Sequence, residues 1–575
     1  MNNMIDTLIN NTAGSSGGLK IITLSGTETV TKNMTLYEYN DTIIAIDCGV
    51  DFPDNDMLGV NVVIPDFTYL RDNRHKFKAL IITHGHEDHI GAIPFLMEEF
   101  DVPIYAGKLV QGFIREKLGD KQFKPLLDKL RFHEFSPSTA EVKIGAFSLS
   151  AFRVNHSVPE ATGISINTPE GRILHMADYK IDWTPVIDKP IDLGRIASYG
   201  ESGVLCLLSD CLGVTHEGRS KSEATLNDTF VDLFDKYESR QILVTTISSN
   251  ISRMYQIISA AAKIGKKVVF SGRSIKQNTD VAKKLGYLPF DESIFVDDKI
   301  ANEYDQKSLV YIIAGCYGQE DSALGKVSRN ENRYIQLEED AAVIFSADPN
   351  PPGVDIAVDR MMAQLTTIGA EVIYSGIQDN LHVSGHGTRD DLMTIAAVVK
   401  PRYYLPIGGT ITKMKAYSRM VESLGVSKDR VLEPTEGDCI LFERGTARMG
   451  TKLEVKQVYI GGQGAMASQI DPILLKDRDQ MCTDGVFVVL VPVSRKNNQI
   501  FADKIDIVTR GFIYVKESRE FMDRSRKFIT KTINKHQSKG LDWGSLRRKI
   551  ENDVDKYIRK EEGRTPMVIV HSISV

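Results

Sequence analysis

The segment Thr83-His84-Gly85-His86-Glu87-Asp88-His89-Ile90-Gly91-Ala92-Ile93-Pro94 constrains this chain more than any other. Three histidines and one aspartate fall within six positions, directly after the apolar run Ala79-Leu80-Ile81-Ile82. A short apolar run bounded by turn residues reads as a buried strand. Ile90 to Phe100 reads as a helix, provided that Pro94 lies in its first turn. The cluster then occupies the tight loop at a strand's carboxyl end, where open α/β sheets carry their sites. Imidazole nitrogens and carboxylate oxygens suit Zn²⁺ or Mn²⁺. His84 and His86, two apart in extended chain, point to one side. Asp88 and His89 follow where the chain bends and are placed to face a second ion. The bland alternative is a few surface histidines beside a helix start, and their packing around a glycine turn after a buried strand argues against it.

A chain of 575 residues is too long for one core and implies two to four domains. No run of about 18 apolar residues occurs, so no membrane span is expected. Residues 1–18 are rich in Asn, Ser and Gly and lack the layout of a signal peptide, which reads as a disordered tail. Cys48, Cys206, Cys211, Cys316, Cys439 and Cys482 are scattered with no Cys-x-x-Cys pair, as expected for reduced thiols in a cytoplasmic protein. The net charge of −6 argues against a uniformly basic nucleic-acid coat and leaves room for a local basic channel.

Further candidates lie at strand ends. Asp47 ends the apolar stretch Thr42 to Ile46, where a turn cap is the lesser alternative by position alone. His156 follows the strand Phe147 to Val154. A lone histidine there is more often structural, but beside a cluster wanting another imidazole it reads as a ligand. Asp178 ends the strand that begins at Ile173, where a carboxylate can bridge two ions, whereas His175 sits inside that strand and reads as structural. A charged helical segment spans Leu109 to Leu130. From Leu212 the texture changes to strand–helix units: Gln241 to Thr246, Lys267 to Phe270 and Leu309 to Ala314, followed by loops containing Ser249, Arg273 and Gly315-Cys316-Tyr317-Gly318. Loops of this kind make amide cradles for phosphate, although each alone is common turn chemistry. After the strand Ala342 to Asp348 comes Leu381-His382-Val383-Ser384-Gly385-His386, which gathers two imidazoles, a hydroxyl and backbone amides before a helix starting near Asp390. The C-terminal stretch reads as strands Gly485 to Pro492 and Ile505 to Val515, a helix carrying Arg524, Arg526, Lys527, Lys531 and Lys535, a helix Trp543 to Lys560, and a strand Pro566 to Val575. The charged helix is a solvated face or an RNA contact.

His84-x-His86-x-Asp88-His89 resembles the signature of the metallo-β-lactamase superfamily in its dinuclear form. The later stretches narrow the resemblance to the ribonuclease J family of the β-CASP group, from about Leu19 to the C-terminus. It implies an α/β architecture: a metallo-β-lactamase αββα sandwich with an inserted β-CASP domain and a small C-terminal α/β domain. The expected divisions are a tail at 1–18, the sandwich at 19–211 and 371–450, the β-CASP domain at 212–370 and the last domain at 451–575. The implied activity is a metal-dependent 5′-to-3′ exoribonuclease, with endoribonuclease action as well. His84, His86 and His156 would hold one divalent ion, Asp88 and His89 the other, with Asp178 between them. Such ions, Zn²⁺ first and Mn²⁺ or Mg²⁺ as alternatives, sit roughly 3.5–4 Å apart and hold a hydroxide for in-line displacement. By the same resemblance Asp47 orients the metal site, His386 is the general acid, and His382, Ser384 and Gly385, with Ser249 and Arg273, hold substrate phosphate. The implied partners are single-stranded RNA and a second copy, as homodimer or homotetramer, or a ribonuclease J paralogue.

Two departures stand out. Ser25-Gly26-Thr27-Glu28-Thr29 replaces a glycine-rich turn, and Leu405-Pro406-Ile407-Gly408-Gly409-Thr410 places Gly408 where the family has a metal-ligating histidine. The second ion would keep only Asp88, His89, Asp178 and water, so weaker occupancy is expected. Gly408 therefore supports an alternative: a weakly active or inactive paralogue that serves as an RNA-binding or structural subunit. A small-substrate hydrolase is the third reading, and the inserted domain and the His382–His386 loop weigh against it. DNA is harder to set aside, because discrimination rests on 2′-hydroxyl contacts.

Overall fold

The computed structural model describes residues 18–54, 57–119, 123–348, 354–462, 468–496, 499–513, 518–537 and 542–575. Most of the expected N-terminal tail, and the end of the expected strand Ile505 to Val515, lie outside them. The chain divides into two compact units, residues 1–52 with 63–458 and residues 53–62 with 459–575.

In the larger unit, two sheets face one another. The eight-stranded sheet runs in the order 446–449, 439–443, 19–25, 34–39, 42–46, 77–81, 104–106 and 132–134. The six-stranded sheet runs 403–407, 206–210, 171–175, 162–168, 147–153 and 142–144. Side chains alternate between the faces of a strand. Accordingly Ile173, Leu208 and Leu405 meet Ile21, Ile44 and Ile81 of the opposing sheet in one shared core. Their neighbours Leu174, Leu207 and Tyr404 pack outward against Ile196, Leu392, Ile395 and Tyr417 of the covering helices. Strands covered on both faces have no polar side to show, which is why Cys206–Asp210 and Tyr403–Ile407 read as unbroken buried runs.

A second six-stranded sheet in this unit is wholly parallel, in the order 295–296, 267–271, 309–313, 242–245, 342–345 and 371–373. Its edge strand Glu371–Ile373 lies just beyond the expected boundary at 370. Two sequence readings are corrected. The segment Leu109 to Leu130 is not one helix but Lys108–Leu118 and Lys124–Leu127. The expected helix Ile90 to Phe100 is a short turn, Glu87–Ile90, then Ile93–Glu99, with Pro94 in the first turn where its missing N–H costs nothing.

The smaller unit has a three-stranded sheet, Asp506–Arg510, Val486–Val493 and Met567–Ser574, under helices Arg519–Gln537 and Trp543–Glu562. Ile529, Ile533, Ile550, Val554 and Ile558 close its core on Phe487, Val489 and Val491. No described helix is long and apolar enough to cross a membrane.

Candidate metal centre

The sequence candidates converge because each follows a strand of the sandwich at its carboxyl end. Asp47 follows Thr42–Ile46, the histidine loop follows Phe77–Ile81, His156 follows Phe147–Arg153, and Asp178 follows Gly171–His175. The histidine loop is sewn to the first of these turns by backbone bonds, from Cys48 N to His89 O at 2.8 Å and Val50 N to Glu87 O at 3.2 Å. The approach is so close that a Cβ built on Gly49 would lie 1.5 Å from Asp88 O. Asp47 and Ala177 take left-handed backbone conformations with φ of 61° and 54°. Such strain outside glycine gathers where a site over-determines the chain.

Each imidazole has one nitrogen held by the protein and the other turned to a common centre. His84 Nδ1 meets Thr83 Oγ1 at 3.0 Å, and His89 Nδ1 donates to Asp47 Oδ2 at 2.7 Å. His156 Nδ1 donates to the Gly385 carbonyl at 2.7 Å, and Ser157 Oγ meets His86 Nε2 at 3.0 Å. In the centre, His156 Nε2 lies 3.0 Å from His86 Nδ1. Asp178 Oδ2 lies 3.3 Å from His89 Nε2 and 3.8 Å from both His84 Nε2 and His156 Nε2. His84 Nε2 is buried and has no hydrogen-bond partner among the described residues. Burial holds His84 and His156 well below the usual imidazole range and pushes His86 down to about 3, so all three stay neutral. The lone pair of His84 Nε2, unpartnered among the described residues and 3.8 Å from Asp178 Oδ2 beside His86 and His156, is where a cation fits. The donor set fits a divalent metal.

Among the described residues, three sets of ligand atoms lie within 4.8 Å of one another: His84, His86 and His156; His84, His89 and Asp178; and His156, Asp178 and His386. Asp88 belongs to none of them. Its Oδ2 stands 3.5 Å from His89 Nε2, and burial raises its pKa to about 6. Burial opposes charge on His89, yet Asp178, Asp88 and Asp47 together pull its pKa above the ordinary value. His175 lies aside, its Nδ1 2.9 Å from Tyr37 Oη.

The His382–His386 loop closes over this centre. Gly385 is the residue that fits, since a Cβ there would meet the His156 ring at 2.7 Å. Ser384 Oγ accepts from the His386 N–H at 3.1 Å, and His386 Nδ1 donates to Asp210 Oδ2 at 2.7 Å. Burial again works against charge on His386, but the Asp210 carboxylate raises its pKa to about 9. His382 is driven down to about 3 by burial and then by the charge of Arg253. Ser249 precedes the helix Ile251–Lys263, and Arg273 is the exposed first residue of Arg273–Lys284. Among the described residues no hydrogen bond ties either of them to the centre.

Sequence reasoning missed Asp210 and Asn33. Asp210 ends the buried run Cys206-Leu207-Leu208-Ser209, the same signature that marks Asp47 and Asp178. Asn33 Nδ2 donates to Asp88 O at 3.2 Å and lies 3.1 Å from His89 Nε2, a contact that no local pattern announces. Gly408 sits at the edge with a left-handed φ of 65°, and a Cβ there would lie 3.6 Å from Asp178 Oδ1 and 3.8 Å from Asp210 Oδ1.

Three family models match the chain: the metallo-beta-lactamase superfamily over residues 28–191, the ribonuclease J beta-CASP domain over 239–365, and the ribonuclease J C-terminal domain over 473–575. Ribonuclease J2 of Bacillus subtilis is 30% identical over 552 residues, covering 96% of this chain and 98% of that protein. Ribonuclease J 1 of Streptococcus pyogenes is 32% identical over 550 residues, covering 96% of each. Ribonuclease J of Synechocystis is 32% identical over 568 residues, covering 96% of this chain and 86% of that one. A crystal structure of a protein of unknown function from Enterococcus faecalis shares the fold, with a TM-score of 0.52 at 16% identity over 74% of this chain and all of that one.

Proposed function

The chain belongs to the ribonuclease J family and is a metal-dependent ribonuclease, and from that premise we propose that it trims RNA from a 5′ end at the centre around Asp178, with internal cleavage as a second mode. The observation that carries this reading is the Asp178 carboxylate, whose Oδ2 lies within 3.3–3.8 Å of inward nitrogens of His84, His89 and His156. His84, His86, His156 and Asp178 would hold one divalent ion, with Zn²⁺ best matched to three imidazoles. Asp88, His89 and Asp178 would hold the second. Ions there supply positive charge opposite the scissile phosphate and acidify water towards a pKa near about 7.

The remaining roles fall to the protein. Asp47 fixes the tautomer of His89 by accepting a hydrogen bond from its Nδ1–H, and the Gly385 carbonyl does the same for His156. His386, kept protonated by Asp210, gives its proton to the departing 3′ oxygen, leaving a 3′-hydroxyl and a 5′-phosphate. His382, Ser384 and the Gly385 amide grip phosphate beside it, and Ser249 and Arg273 meet RNA farther along. Gly408 contributes no ligand atom, so the second position holds its ion weakly; this is the observation that favours a weakly active paralogue as the second reading. RNA over DNA, a cytoplasmic setting, and assembly as a homodimer, a homotetramer or a pair with a paralogue follow by family analogy.

Elemental analysis and degradation of a 5′-monophosphorylated RNA, on the same preparation, test the reading. Asp178→Ala is expected to lose metal and activity together. Full metal content and undiminished degradation in that variant would overturn it.

A further inference from the structure

The chain enters the region of the parallel sheet through the short helix Glu223–Thr225 and leaves it between Ile373 and Leu381. Arg253, fully buried on the helix Ile251–Lys263, touches both crossings. Its Nε donates to Glu223 Oε1 at 2.7 Å. Its Nη1 donates to Ser346 Oγ at 2.6 Å, to the Ser346 carbonyl at 3.0 Å and to the Leu381 carbonyl at 3.3 Å. Ser346 Oγ in turn donates to the Leu381 carbonyl at 2.7 Å. The backbone of Arg253 is fixed as well, since its N–H donates to Asn250 Oδ1 at 2.9 Å. Glu223 is buried too, and Gln256 Nε2 holds its carbonyl at 2.8 Å.

A buried guanidinium is costly unless paired and fully bonded, and a well-packed apolar side chain joins two elements at lower cost. Here the outlay is larger still, because among the described residues Arg253 Nη2 has no partner, and neither has the buried Nδ1 of His382. What the guanidinium offers that an apolar side chain does not is direction. It fixes the Leu381 carbonyl from two sides, once directly and once through Ser346. Leu381 is the residue from which the His382–His386 loop starts. Four residues on, the Gly385 carbonyl accepts a hydrogen bond from His156 Nδ1–H at 2.7 Å and thereby aims His156 Nε2 at the metal centre.

We propose that Arg253 is a positioning residue of the ribonuclease centre: through Ser346 and the Leu381 carbonyl it sets the His382–His386 loop, and through Gly385 the orientation of His156. Burial first, and then the same charge, keep His382 neutral. The proposal rests on the reading that this loop belongs to the active site. It also couples the inserted sheet, which supplies Arg253 and Ser346, to the metal ligands of the sandwich.

Two variants test it. Ser346→Ala removes only the hydroxyl that links Arg253 to Leu381, and Arg253→Lys keeps the charge but loses the fork. The readouts are zinc affinity of metal-stripped protein by chelator competition, amide hydrogen exchange, and kcat and KM for RNA. We expect zinc affinity to fall about 10- to 100-fold, the effect seen when a ligating histidine loses its outer partner. Exchange should quicken within residues 381–387 alone, and kcat/KM should fall. Unchanged zinc affinity and loop exchange in both variants would overturn the proposal, as would exchange quickening across the whole parallel sheet. Should Arg253→Lys fail to fold, Ser346→Ala decides alone. His386→Ala separates the two readings: if it leaves RNA degradation intact, the loop is not catalytic, while zinc affinity and exchange still report on Arg253.

Discussion

Gly408 donates its backbone N–H to the carbonyl of Gly26 at 3.0 Å. The two stretches singled out in the sequence, the Ser25–Thr29 turn and the loop that carries Gly408, are therefore in contact, and a bridge between Glu28 and Thr410 extends the pairing. The Ser25–Thr29 turn thus holds the strand end that carries Gly408 against the rim of the metal centre.

That rim has room for a side chain. The Cβ position of Gly408 meets nothing nearer than Asp178 Oδ1 at 3.6 Å, and histidine tolerates a left-handed backbone better than most residues, at a cost of about 1–2 kcal/mol. Gly408→His should therefore fold with a slightly lower Tm, raise metal content towards two ions per chain and speed RNA degradation. Metal content and activity equal to wild type would mean that the second position is already filled without a ligand from residue 408.

Asp47 reaches the centre only through His89 and Thr83, accepting the Thr83 N–H at 2.8 Å and the Thr83 hydroxyl at 2.8 Å besides the imidazole proton. Asp47→Asn leaves the volume intact but offers a donor where an acceptor is needed. A loss of about 10- to 100-fold in metal affinity is expected, read by chelator competition. An unchanged affinity would assign Asp47 to the turn alone.

Gly49 tests how tightly the histidine loop is seated. Alanine at that position would place its Cβ inside the Asp88 carbonyl, and only backbone movement relieves this. Overpacking of this kind costs typically about 1–3 kcal/mol, occasionally more. Gly49→Ala should lower Tm by several degrees and shed metal. Gly194→Ala is the uncrowded control, because Gly194, like Gly49, has no positive φ and its Cβ position meets only Asp192 Oδ1 at 3.9 Å.

The metal loop was legible because one short motif carries both its chemistry and its strand-then-turn context. Asp178 and His156 were legible because apolar runs ending in a polar residue mark strand ends. Asp210 has that same signature, and only its distance from the other candidates in sequence hid it. Asn33 was not legible, since its amide meets His89 across 56 residues. Arg253 reads in sequence as an ordinary helix charge, and only burial reveals it. The helix Pro472–Asp484 was passed over because its apolar residues Ile473, Leu474 and Met481 make no buried face, although Asp471 caps it and Pro472 opens it.

Asp188 gives a pH dependence outside the metal centre. Burial raises its pKa from 3.8 to about 6, and the nearby Glu160 carboxylate adds to the rise, while the Glu160 N–H, donating to Asp188 Oδ2 at 2.9 Å, and Arg153 pull it down. A carboxyl whose folded pKa is raised binds its proton more tightly in the folded chain than in the unfolded one. Its favourable contribution is therefore complete below about pH 3.9, the unfolded value, and is lost as pH climbs through about 6. Asp188→Asn keeps an acceptor for the Glu160 N–H and has no charge to desolvate. The Tm of the variant relative to wild type should rise between about pH 4 and pH 6 and stay level above, measured on metal-stripped protein so that ligand protonation does not intrude. A Tm difference that is flat across this window would mean that Asp188 ionises in the folded chain as readily as in the unfolded one.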